Sequence, residues 1–137
     1  MKRTDLQAYA QAKVDDALLL LHHNRWSNAY YLAGYGVELA LKACIARQVS
    51  ADTIPDKAIL KDVLSHEYPR LVGLAGLKGD LKDEQDANPN FAANWGIVSE
   101  WSPDARYRSW PAMEAQLLLQ SIVDPNNGVL PWIKRFW

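Results

Sequence analysis

Among the side chains that could bind a ligand or take part in catalysis are a glutamate and a lysine that are spaced as neighbours on one face of a helix. Glu38 and Lys42 are four residues apart, with the acid nearer the N-terminus. On a helix this order places them on one face as an ion pair, worth about 0.2–0.5 kcal/mol when exposed. Two interpretations follow. Either the pair is structural and holds its helix in register, or both side chains line a binding cleft.

Residues 101–108 form a second cluster, rich in arginine and aromatic side chains. Pro103 argues against a continuous helix here, and loops held by a rigid scaffold often carry function. The planar guanidinium of Arg106 could bind a phosphate or a carboxylate. The alternative is that Arg106 pairs with a buried acid such as Glu38, while Tyr107 packs on the protein.

The histidines and the single cysteine offer less chemistry. His66 could act as a general acid or base only with a partner that the sequence does not locate, and its alternative is a structural role at a helix end. His22 and His23 are adjacent, but no further ligand lies at a metal-binding spacing, so neither a metal nor another cofactor is predicted. Cys44 cannot form an internal disulfide and is predicted to be a small buried hydrophobe.

The Glu38–Lys42 pair belongs to a long helix predicted over residues 25–48. Apolar residues recur there every three or four positions, and a second set covers much of the opposite side. Such a helix must be buried nearly all round, within its own fold or by a partner. The first set is Trp26, Ala29, Tyr30, Ala33, Val37, Ala40, Leu41, Cys44 and Ile45, and the second is Tyr31, Leu32, Tyr35 and Leu39.

Further helices are predicted on both sides of this central one. Thr4 or Asp5 could cap a first helix that ends near His23, and the short link to the next helix predicts an antiparallel hairpin. The later predictions are a break at 50–55, a short helix at 56–64, a helix capped by Ser65, a bend at 77–82, a helix at 90–99, a helix from Ser109 or Pro111 to about Asp124, and an apolar segment at 129–137. So apolar a tail must dock on its own bundle or on a second subunit.

The length of the chain and the pattern of its hydrophobic residues indicate the fold class. The chain has 137 residues, 49% of them hydrophobic, and shows no strand pattern or internal repeat. We therefore predict one all-α domain over residues 1–137, an antiparallel up-and-down bundle of four to five helices.

Charge and hydropathy limit the partners. The net charge of −1, from 15 basic and 16 acidic residues, does not indicate tight nucleic-acid binding. Local basic patches are still compatible with this net charge. The N-terminus has no apolar signal core, and no apolar run is long enough to span a membrane. We expect a soluble cytoplasmic protein without membrane association.

Residues 29–43, AYYLAGYGVELALKA, closely resemble the second-helix signature of the HEPN domain family, named for higher eukaryotes and prokaryotes nucleotide-binding. A first helix ending in paired leucines, a Ser-His element after the second helix and a Trp-x4-Arg-Tyr segment also match, so the resemblance covers nearly the whole chain. It implies a HEPN-like bundle, commonly a homodimer with a cleft between subunits. It also implies partnership with nucleotidyltransferase-like proteins in toxin–antitoxin or related defence operons.

Many family members are metal-independent ribonucleases, in which an arginine is followed by a histidine after four to six intervening residues. No arginine of this chain has a histidine at that spacing; after Arg106 the positions hold Pro111, Ala112 and Met113. We therefore expect a non-catalytic dimeric module that binds a nucleotide, an RNA or a nucleotidyltransferase-type partner. The alternative is a metal-independent ribonuclease with a non-standard site around Arg106 and His66. The candidate ligand-binding residues are Glu38, Lys42, His66, Arg106 and Tyr107.

Overall fold

The computed structural model describes residues 1–49, 54 and 56–137, and every regular element in that part of the chain is helical, which confirms the all-α class. Its eight α-helices are α1 (Arg3–His22), α2 (Trp26–Gln48), α3 (Lys57–Val63), α4 (Tyr68–Leu74), α5 (Lys78–Ala87), α6 (Pro89–Val98), α7 (Ala112–Val123) and α8 (Val129–Lys134), and a 3₁₀ helix (Pro103–Tyr107) precedes α7. They outnumber the four or five predicted because turns divide the chain after α2. None of the described helices has the length and hydropathy that crossing a membrane needs.

Helices α1 and α2 pack against each other as the predicted hairpin. The chain reverses at Asn24, whose φ of 61° lies in the left-handed region that asparagine tolerates. The N–H of Arg25 then donates to the Leu20 carbonyl at 2.8 Å. At Gly36 a Cβ atom would stand 2.7 Å from Val14 Cγ2, so the missing side chain lets the two helices approach closely.

Helix α2 is buried on most of its circumference, as its sequence predicts. Helices α1, α4, α7 and α8 and the 3₁₀ helix all contact it. Its buried residues are Ala29, Tyr30, Ala33, Gly34, Gly36, Val37, Glu38, Leu39, Ala40, Leu41, Ala43, Cys44 and Ile45. Tyr31, Leu32 and Tyr35 stay partly exposed, so a narrow strip of α2 reaches the surface.

Three of the predicted N-caps are wrong. Helix α1 begins before both Thr4 and Asp5, and no side chain caps it. Ser65 lies outside α4 and accepts a hydrogen bond from the Glu67 N–H at 3.1 Å. Ser109 also lies outside its helix, α7. A proline lies at the start of both helices: Pro69 is the second residue of α4, and Pro111 is the N-cap of α7, the later of the two starts predicted for that helix.

The breaks between helices agree better with the sequence. The predicted break at 50–55 lies outside the described residues, apart from Ile54. Helix α4 ends at a turn containing Gly76, whose φ is 71°. The bend predicted at 77–82 is therefore placed too late, because residues 78–82 belong to α5. Asn88 caps α6 by accepting from the Phe91 N–H at 3.2 Å, as expected of an asparagine before a proline.

The C-terminal segment docks on its own bundle. Its buried residues are Val129, Leu130, Trp132 and Ile133. The Trp132 ring lies 5.4 Å from the ring of Phe91 and 6.2 Å from that of Trp95, measured between centroids. Cys44 packs below this segment, with its Sγ 3.7 Å from the Ile133 carbonyl oxygen, and burial raises the pKa of its thiol to about 12. It is the small buried hydrophobe predicted.

Candidate functional site

Glu38 is the centre of a polar network on α2. Its side chain is 1% exposed, and Oε1 accepts from Lys42 Nζ at 2.9 Å and lies 2.8 Å from His66 Nδ1. The predicted Glu38–Lys42 pair is therefore present, with His66 as an additional partner. Because an isolated buried carboxylate is very unfavourable, these two contacts compensate for the loss of water around Glu38.

The network joins the segment before α4 to the middle of α2. His66 precedes α4, whose Tyr68 is fully buried and donates its hydroxyl to the Gly34 carbonyl at 2.7 Å. The imidazole itself is 57% exposed. Since a carboxylate oxygen only accepts, Nδ1 of His66 carries the proton that faces Glu38, and Nε2 is left for solvent or a ligand.

Two buried polar atoms near this turn of α2 have no hydrogen-bond partner among the described residues. They are Oε2 of Glu38 and Nε1 of Trp101. The indole of Trp101 lies directly on Gly34, where any Cβ atom would overlap it, and stacks on Tyr68 with 5.5 Å between ring centroids. Gly34 is thus required for Trp101 to close over α2.

A row of side chains follows the exposed strip of α2. Tyr31, Tyr35, Glu38 and Lys42 are spaced by four, three and four residues, which places them on one face of the helix. The rings of Tyr31 and Tyr35 are parallel within 3°, and their centroids are 6.3 Å apart. We call these four residues the α2 row. Burial, and then the charge of Glu38, raise the pKa of Tyr35, so its hydroxyl stays protonated and able to donate.

Cations flank the tyrosines of the α2 row. Arg106 is exposed, and the nearby phenol groups of Tyr107 and then Tyr31 raise its pKa. On the other side, Nζ of Lys13 lies 5.9 Å from the centroid of the Tyr35 ring. The aromatic part of the row therefore has an arginine from the 3₁₀ helix and a lysine from α1 beside it.

The 3₁₀ helix is anchored to α2 through Trp110. This ring stacks on Tyr30 with 3.7 Å between centroids, its Nε1–H donates to the Ala105 carbonyl at 3.0 Å, and its backbone N–H donates to Ser27 Oγ at 2.8 Å. Ala105 is buried, so the next residue, Arg106, is presented at the surface beside the α2 row.

The structure corrects the alternative interpretation of residues 101–108. Arg106 does not pair with Glu38, whose partners are Lys42 and His66. Tyr107 does not pack into the protein, because it is 74% exposed. Both side chains project from the 3₁₀ helix.

The candidate residues lie along one face but do not converge on one point. Arg106 lies near Tyr31, whereas His66 contacts Glu38, seven residues further along α2, or about 10 Å of helical rise. Among the described residues no hydrogen bond or ion pair joins Arg106 to His66. The arrangement is therefore an elongated surface, suited to binding a ligand by several contacts.

The part that Tyr31 and Tyr35 take in this surface was not predicted from the sequence, where both residues were placed in the apolar cover of the central helix. Their positions relative to Glu38 and Lys42 already placed all four on one helical face, and that signal could have found them.

The described residues offer no group of three or more histidine, cysteine, aspartate or glutamate side chains that could hold a metal ion. His22 and His23 are both exposed at the end of α1. Comparisons with known protein families, with curated proteins and with solved structures find no match.

Proposed function

We propose that this chain is a HEPN-like, dimeric helical module that binds a nucleotide or RNA through the α2 row. The observation that supports it is the pair of parallel rings, Tyr31 and Tyr35, at the surface beside Arg106 and Lys13. Aromatic side chains stack on nucleic-acid bases, while neighbouring cations bind the phosphates.

The local charge suits such a ligand even though the whole chain is nearly neutral. Two cations, Lys13 and Arg106, lie beside the tyrosines of the α2 row, whereas Lys42 and Glu38 neutralise each other as an ion pair. Binding should weaken as salt is raised, because displaced counterions drive such association.

The test is binding of a fluorescently labelled single-stranded RNA, followed by anisotropy. Base stacking is worth about 1–3 kcal/mol per base, so Tyr35→Ala should weaken binding roughly five- to hundredfold, whereas Tyr35→Phe keeps the ring and should bind nearly as well. Trp137→Ala is the matched control, since this ring also lies beside a lysine, Lys134, but outside the α2 row. Equal affinity of the Tyr35→Ala variant and the unaltered chain would refute the proposed surface.

The dimer and a nucleotidyltransferase-like partner, in a toxin–antitoxin or defence system, are parts of this proposal that derive from the HEPN resemblance. Light scattering on the purified chain tests the dimer directly. Co-purification with a candidate nucleotidyltransferase, repeated with Tyr107→Ala, tests the partner, because Tyr107 is exposed beside the row. A monomer that forms no such complex would leave nucleotide or RNA binding as the whole proposal.

A metal-independent ribonuclease is the second candidate, and the Glu38–His66 contact favours it. A buried carboxylate that fixes Nδ1 leaves Nε2 of an exposed imidazole to take a proton from a ribose 2′-hydroxyl. The test is RNA cleavage with a chelator present. Cleavage lost in both His66→Ala and Arg106→Ala would establish this activity, and no cleavage by the unaltered chain would exclude it.

A further inference from the structure

A second, separate surface feature is an open cavity between α3 and α4, at the start of α5. Its volume is about 690 Å³, within the range of small-molecule sites. Three cations line it, each from a different helix: Lys61 from α3, Arg70 from α4 and Lys78 from α5. None of these residues belongs to the α2 row.

Two of the three cations have no competing partner. Lys61 and Lys78 make no ion pair among the described residues. Arg70 lies 3.2 Å from Glu67 and 3.9 Å from Asp62, but all three side chains are 40% or more exposed. Such exposed pairs contribute little, so Arg70 can exchange them for a stronger anion.

The backbone of α4 makes room for the third cation. A Cβ atom at Gly73 would stand 3.3 Å from Cε of Lys78 and 3.9 Å from its Nζ, so the lysine side chain lies over this glycine. Gly73 is three residues after Arg70, which places both on one face of α4. The ammonium group of Lys78 therefore reaches the same side of α4 from which Arg70 projects. Pro69 and Leu74 add an apolar part to the cavity wall.

We propose that this cavity binds the polyphosphate group of a small molecule, such as a nucleoside triphosphate. The cations are exposed and spread over three helices, so a single phosphate would contact too few of them in water to bind well. A chain of phosphates can contact several cations together, and arginine binds phosphate oxygens through two parallel hydrogen bonds. Asp62 is the acid among the described lining residues and opposes binding, as does Glu67 through its pair with Arg70.

The experiment is calorimetric titration of the full chain with inorganic tripolyphosphate and, in parallel, with ATP. Arg70→Ala and Lys78→Ala should each weaken tripolyphosphate binding about two- to fivefold, the range that exposed charge pairs give. Asp62→Asn should tighten it, because it removes the opposing charge and releases Arg70. Lys82→Ala, on the same helix as Lys78 but paired with Asp86, is the matched control and should bind as the unaltered chain does.

The outcomes separate this proposal from the function of the α2 row. Tripolyphosphate binding that follows the expected pattern of variants supports the cavity as a polyphosphate site. Tighter binding of ATP than of tripolyphosphate would show that the polyphosphate it binds is that of a nucleotide. Absence of tripolyphosphate binding, or an equal loss in Lys82→Ala and Lys78→Ala, would overturn it. Loss of RNA binding in Lys78→Ala without any tripolyphosphate binding would also overturn it and assign the cavity to RNA. A thermal melt of each variant confirms that it is folded.

Discussion

Removing Lys42 should destabilise the protein more than removing Glu38, although both belong to the same ion pair. The reason is their different burial. In Lys42→Met the Glu38 carboxylate stays 1% exposed and keeps only His66 as a partner. Breaking a buried pair in this way costs about 3–5 kcal/mol, and the remaining His66 contact places the expected loss near the lower end.

Glu38→Gln leaves no buried charge behind. Lys42 is 15% exposed and His66 57% exposed, so both can turn towards water once the carboxylate is gone. The expected loss is that of a hydrogen bond to a charged group, about 1.5 kcal/mol. Replacing both partners by apolar residues, as in Glu38→Leu with Lys42→Met, should give a protein more stable than Lys42→Met alone.

The assay is urea unfolding at pH 7, followed by far-ultraviolet circular dichroism, for the unaltered chain, both single variants and the double variant. Lys82→Met is the control, because its pair with Asp86 is fully exposed on α5 and should contribute almost nothing. If Glu38→Gln lost as much free energy of unfolding as Lys42→Met, or more, the reasoning from burial would be refuted.

Three further predictions concern the core. Gly34→Ala should reduce the free energy of unfolding by about 1–3 kcal/mol, because the new methyl group overlaps Trp101. Gly96→Ala, in open space on α6, should instead stabilise the protein by about 0.5–1 kcal/mol. Thermal melts that rank the two variants the other way would contradict this packing. Cys44 should resist alkylation at pH 8 in the folded protein and react once urea is added, since burial raises the pKa of its thiol to about 12; rapid reaction in the native state would show that it is accessible. Burial also raises the pKa of Tyr68 well above 10, so the unfolded chain releases the phenol proton first, and the free energy of unfolding should fall as pH rises above 10. In Tyr68→Phe this fall should be smaller, and the difference measures the contribution of Tyr68. An equal fall in the variant would assign the effect to other groups.

The central helix was predictable because its signals are local. The apolar periodicity of residues 25–48 and the four-residue spacing of Glu38 and Lys42 depend on helix geometry alone, and both predictions are confirmed. The N-caps were less predictable, since several polar residues precede each helix. Helices α4 and α7 begin three residues after Ser65 and Ser109, with Glu67 and Pro111 as their N-caps.

The candidate site was only partly predictable because its main contacts are not local. Glu38 and His66 are 28 residues apart, and nothing in their spacing indicates that they touch. Arg106 and Tyr31 are further apart still in the sequence and come near each other because the 3₁₀ helix packs on α2. The residue types could be identified as candidates from the sequence, but which of them meet depends on how α4 and the 3₁₀ helix pack on α2.

The sequence left open whether Glu38, Lys42 and Arg106 form a structural network or a binding site, and the structure separates these roles by position. Glu38 is inaccessible, so a ligand could reach it only through Lys42 or His66, and substitutions at Glu38 should mainly change stability. Arg106 and the rings of Tyr31 and Tyr35 are at least partly exposed, so their substitution should change ligand binding with little effect on stability. Gly34 allows Trp101 to pack tightly on this part of α2, where its ring also stacks on Tyr31 with 6.2 Å between the ring centroids. A variant at Tyr31 or Arg106 that unfolded the protein, or a Glu38 variant that lost binding at unchanged stability, would show that this division of roles is wrong.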